Sequence, residues 1–110
     1  MTTTPTTEAL GTWITVVQLL SAAADRGFDQ AAEVPEIHSL ALGAQYAAST
    51  ALALIPADLD LDAGPEPPGS VADLIRSAHA LTRRHRIEDF PPGAASVVVA
   101  IGELVREAAP

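Results

Sequence analysis

Nine prolines stand at positions 5, 35, 56, 65, 67, 68, 91, 92 and 110, and long proline-free runs lie between them. Proline has no amide hydrogen to donate and its ring collides with the preceding helical turn, so it collects at helix starts and in loops. The spacing predicts four helices, over about 6–26, 35–55, 70–86 and 91–108, with a loop at 56–69. The punctuation around them agrees. Gly27 follows "ADR" and can take the left-handed conformation that ends the first helix, while Pro56 stops the second. Ser70 with Asp73 three residues on is a capping box for the third. Arginines at the end of the third helix, and Glu88 and Asp89 before the fourth, suit the two macrodipoles.

Projection at 100° per residue puts Leu10, Trp13, Ile14, Val17, Leu20 and Ala24 on one face of the first helix. Val71, Leu74, Ile75, Ala78 and Leu81 line the third. Val97, Val98, Ile101, Leu104, Val105 and Ala108 line the fourth. The fold expected is all-α: an antiparallel four-helix bundle in one domain, 1–110, built as two helical hairpins joined by a proline-rich crossover, "PADLDLDAGPEPPG". The second helix is apolar nearly all round, and Ala41, Gly43, Ala44, Ala47, Ala48 and Ala51 allow close backbone approach. Val16 and Leu19 fall off the stripe of the first helix, and Val99 lies opposite that of the fourth. Apolar positions left over on several helices point to a homodimer.

Fourteen acidic residues against six arginines and no lysine leave a formal charge of −8. That balance opposes non-specific binding to nucleic acid or an anionic membrane, both polyanions. Aromatic residues number four, too few to interleave with basic ones as a base-stacking surface does. No cysteine is present, so disulfides, thiolate metal sites and cysteine nucleophiles are excluded. "MTTTPTTEAL" lacks the basic and apolar regions of a secretory leader. The uncharged run from Ile37 to Ile55 is mostly alanine with His38, Gln45, Ser49 and Thr50, which reads as a buried helix and not a bilayer span. A cytoplasmic protein is expected.

The motifs that would carry chemistry are incomplete. Asp58, Asp60 and Asp62 match the first ligands of a calcium loop, but Ala63 stands where the turn needs glycine and Gly69 where it needs a bidentate glutamate. No Glu-x-x-His pair, phosphate loop or nucleophile elbow occurs. No metal or cofactor is expected. His38, Leu42, Gln45 and Ser49 follow at spacings of four, three and four, so they share a face of the second helix. His38, Gln45 and Ser49 there could line a pocket, or simply satisfy one another.

"RSAHALTRRHR", residues 76–86, holds four of the six arginines and two of the three histidines. On a helix, Arg76, His79, Arg83 and Arg86 form one stripe, Arg84 stands apart and His85 turns to the apolar side. The stripe suits a small anion or an acidic protein surface. Its structural alternative is pairing with Glu88, Asp89 and the acidic loop. Within it, "AHALTR" resembles the A-H-x-L-K-G core of histidine phosphotransfer domains, with Thr82 in place of lysine and Arg83 in place of glycine. That resemblance implies His79 as a phosphate acceptor, exposed at mid-helix. The leading expectation is a small, acidic, non-catalytic interaction or accessory protein that self-associates. A small-molecule binder or enzyme using His38, Gln45 and Ser49 is the alternative, and phosphotransfer through His79 the remote one.

Overall fold

In the computed structural model, residues 6–57, 59 and 67–108 are described; Asp58, Asp60, Asp62 and Ala63 of the calcium-like motif lie outside them. Four α-helices follow in order: α1 (Thr7–Ala31), α2 (Ile37–Ala53), α3 (Val71–Thr82) and α4 (Ala94–Ala108), with a 3-10 turn at Ile87–Asp89. No strand occurs among the described residues. The principal packings are α1 on α2, α1 on α3, α2 on α4 and α3 on α4, so the helices form a ring in the order α1, α2, α4, α3.

Contacts at the two ends show that each neighbouring pair is antiparallel. Trp13, near the start of α1, donates its indole N–H to the Ala51 carbonyl near the end of α2, at 3.0 Å. The Thr6 amide donates to the Asp89 carbonyl beyond α3, while Arg26, late in α1, donates to the carbonyls of Pro67 and Gly69 just before α3. Ser39 at the start of α2 donates to Glu107 at the end of α4, and Leu54 lies against Gly93 at the other end. The chain after α2 therefore leaves one end of the bundle and α3 begins at the other. Two hairpins joined by a crossover is the observed architecture.

Local chemistry explains each terminus. The Thr6 hydroxyl caps α1 by accepting from the Ala9 amide at 3.1 Å. The capping box on α3 is complete, with the Asp73 amide bonded to the Ser70 hydroxyl and the Ser70 amide to the Asp73 carboxylate. At the end of α2 the last turn tightens before Pro56, and the Ala51 carbonyl accepts from both Leu54 N–H and Trp13. The carbonyl's second lone pair thereby gives the buried indole N–H its partner.

Two expected boundaries are corrected. Gly27 does not end the first helix, which runs on to Ala31. It is buried inside α1, and a methyl there would sit 2.7 Å from the Cβ of Ala41 on α2. The glycine permits close approach of two helix backbones, and it does so without a left-handed conformation. The third helix stops at Thr82, not 86. The Thr82 hydroxyl donates to the His79 carbonyl at 2.6 Å, and the Arg83 and Arg84 amides close i−3 bonds to Ala80 and Leu81. The chain then turns so that Phe90 reaches Trp13, ring centroids 5.2 Å apart. That buried aromatic contact outweighs the helix propensity of three arginines, each worth only tenths of a kcal/mol.

Trp13, Phe90, Leu20, Leu74, Ile75 and Ile101 are the large side chains of the core. Val16 is 0% exposed and Leu19 packs against the core, although both were expected off the buried face of the first helix. α1 packs on α2 to one side and α3 to the other, so it buries two stripes and not one. Val99 is exposed, opposite the stripe of α4, as its spacing requires.

The two glycines of α1 give a paired test. Gly11→Ala meets nothing within 4 Å, so it is expected to stabilise by about 0.5–1 kcal/mol through helix propensity. Gly27→Ala gains the same propensity but overpacks against Ala41, at a cost of about 1–3 kcal/mol or more, so it should lower stability. Urea melts of the two variants read the difference. Gly27→Ala melting above the wild type would contradict the close α1–α2 approach.

Candidate functional site

The helix ends before the last member of the arginine stripe: Arg76, His79 and Arg83 lie on or at the cap of α3, and Arg86 lies beyond it. Arg76 lies on α3 and gives its guanidinium to Asp73 at 2.7 Å, both side chains being exposed. That hydrogen bond from Arg76, with those from the Ser70 backbone and hydroxyl, holds the Asp73 carboxyl below its ordinary value. His79 is half-buried in the last turn of α3, beside Gly102 of α4. Arg83 is the helix C-cap, and Arg86 has extended backbone and precedes the 3-10 turn. The early end of α3 thus takes Arg84 and Arg86 off the helix, while Arg83, its right-handed C-cap, still follows Arg76 and His79 at helical spacing.

What the structure brings together is a basic turn around a fixed histidine. His85 is half-buried; its Nε2 is 3.0 Å from the Thr12 hydroxyl, and its ring meets Phe90 edge-on at 5.5 Å. Arg83, Arg84 and Arg86 flank it and are exposed. Among the described residues none of the three carries an ion pair, and Glu88 and Asp89 next in sequence do not take that place. Three cations at the carbonyl end of α3 complement its dipole.

The geometry also differs from what the phosphotransfer resemblance implies. His79 is neither at mid-helix nor fully exposed. Arg83 stands where that motif has glycine, and α4 approaches on the Gly102 side.

The second candidate face is divided in a different way. Gln45 and Ser49 line a shallow groove of about 200 Å³ between α2 and α1. Its other walls are Ser21, Ala24 and Asp25 from α1 and Ala48 and Leu52 from α2. His38 is not among the lining residues; it is exposed, with its ring edge-on to Phe28 at 5.7 Å. Ser21 and Asp25 were missed from the sequence, though their spacing of four, outside the apolar stripe of α1, is the signal that would have found them. One carboxylate, two hydroxyls and an amide can accept or donate hydrogen bonds. They form no nucleophile–base pair, because no histidine reaches the groove. Among the described residues no group of three or more His, Asp or Glu side chains could hold a metal ion.

Beside the groove lies the outer face of α2. The inner face of α2 is built from Ala41, Ala44, Ala47, Ala48 and Ala51 with Leu40. Three of its larger residues point out: Leu42 is 47% exposed, Tyr46 71% and Leu52 45%. From Ile37 to Ala53 the helix carries no acidic or basic side chain except His38. An outward helical face normally carries charge; this one has His38 as its single acidic or basic side chain, and Leu42, Tyr46 and Leu52 are bulkier than the alanines on the inner face.

Among the described residues no helix is long and apolar enough to cross a membrane. In comparison with known proteins, the chain matches no family model, no curated protein and no solved structure.

Proposed function

We propose that this chain is a small, non-catalytic interaction protein that self-associates through the outer face of α2. The observation that carries the reading is the exposed surface of Leu42, Tyr46 and Leu52 on a helix whose inner face is mostly alanine. Tyrosine with flanking aliphatic groups is typical of interface cores, where charge is depleted. With a net charge of −8, two copies repel least where neither presents a carboxylate. One helix face per chain lies at the small end of specific interfaces, so a dissociation constant of roughly micromolar order is expected. Light scattering behind a sizing column at tens of micromolar should give twice the 11.3 kDa chain mass. Leu42→Glu should give the single chain with unchanged helical circular dichroism. A wild-type mass of one chain at that concentration would sink the reading.

The basic turn supports a second contact, to an acidic partner surface. Arg83, Arg84 and Arg86 are exposed and without ion pairs among the described residues, on a turn held by His85 and Phe90. Arginine forks match carboxylates, and a network of three is worth more than isolated surface pairs. Poly-L-glutamate is the probe. Its binding to the wild type should weaken with added salt. The Arg83→Ala/Arg84→Ala/Arg86→Ala variant should bind at least about ten-fold more weakly, one lost charge-assisted bond sufficing for that. Equal binding by the variant would demote the turn to a helix terminus.

A further inference from the structure

We propose that the outer faces of α2 from two copies pair antiparallel, about a twofold axis passing between Gln45 and Tyr46, an inference that rests on the self-association proposed above. The exposed positions of α2 are 38, 39, 42, 45, 46, 49, 52 and 53, with 39 and 52 at opposite edges of the face. They are symmetric about the midpoint of 45 and 46. Antiparallel pairing sets Leu42 against Ser49 of the second copy and His38 against its Ala53, a large side chain on a small one at each level. Interfaces close in this way when volumes interdigitate. A parallel pair would instead oppose Leu42 to Leu42, Ser49 to Ser49 and His38 to His38. That arrangement crowds the bulky levels and leaves the small ones thin.

The antiparallel twofold also sorts the two central residues. Gln45 faces the α1 groove and Tyr46 the opposite flank, and rotation about an axis perpendicular to the helices keeps each on its own side. The two Tyr46 rings then meet each other on one side, and the two Gln45 amides on the other. Each Tyr46, 71% exposed in the single chain, gains a ring partner, an arrangement aromatic side chains favour. Opposed macrodipoles of the two helices favour the same orientation. Every neighbouring pair inside the bundle already packs antiparallel, so α2 and its mate continue the pattern.

The absence of cysteine makes the register directly readable. Single cysteines are placed at exposed positions, each variant is checked for helicity, and mild oxidation is applied at tens of micromolar. In the proposed register Gln45→Cys cross-links to itself. Leu42→Cys does not, because its mate is offset by seven residues, roughly 10 Å along the axis and beyond disulfide reach. A mixture of Leu42→Cys and Ser49→Cys gives the mixed dimer, at least about ten-fold faster than Val99→Cys on α4 links to itself, since the interface raises the effective concentration. Self-linking of Leu42→Cys without the mixed product would overturn the register while leaving self-association intact. A dimeric mass with no link at 42, 45 or 49 would overturn α2 as the interface. A single-chain mass would remove both proposals.

Discussion

Everything in this bundle follows from how closely α1 and α2 approach. Gly27 and Ala41 meet where even one added methyl would be 2.7 Å from its neighbour, and alanines with Leu40 line the rest of the inner face of α2. Helices that pack on small residues gain many close contacts per unit length, but they leave no room for bulky side chains between them. Leu42, Tyr46 and Leu52 are therefore displaced to the outside of α2. The exposed apolar face and the close helix contact are two consequences of one choice of residue size.

A second constraint acts at the other end of the molecule. Trp13 ties α1 to the end of α2 through the Ala51 carbonyl and receives Phe90 on its ring. Phe90 in turn holds His85, which meets Thr12 of α1. Because the chain must turn early to deliver Phe90, α3 is cut short at Thr82 and three arginines are left on the turn. Their exposure is a by-product of core packing. Any use of them as a contact surface is made on a support the core holds in place.

Helix number, helix type and the crossover were legible in the sequence, because proline placement and 3.6-residue periodicity report on backbone and burial together. The capping box at Ser70 and Asp73 was legible for the same reason: both partners are local. What periodicity could not show was any property set by a neighbour. Gly27 read as a helix stop because a glycine after "ADR" serves either as a terminus or as a contact point, and only Ala41 distinguishes the two. Val16 and Leu19 read as surplus because one helix wheel cannot show burial on two sides. The outer stripe of α2 was visible as His38, Leu42, Gln45 and Ser49, yet its extension to Tyr46, and the joining of Gln45 and Ser49 to Ser21 and Asp25, depend on which side α1 occupies. The departure of Arg84 and Arg86 from the helix likewise goes with Phe90, a residue outside the stripe.

The central claim is that a second copy covers the outer face of α2. Tyr46 is the chain's single tyrosine and lies at the middle of that face, so nitration by tetranitromethane reports on it alone. The account predicts that nitration slows several-fold as protein concentration rises from well below to well above the micromolar range, and that Leu42→Glu abolishes the slowing. A nitration rate for the wild type that is fast and independent of concentration over that range would contradict it.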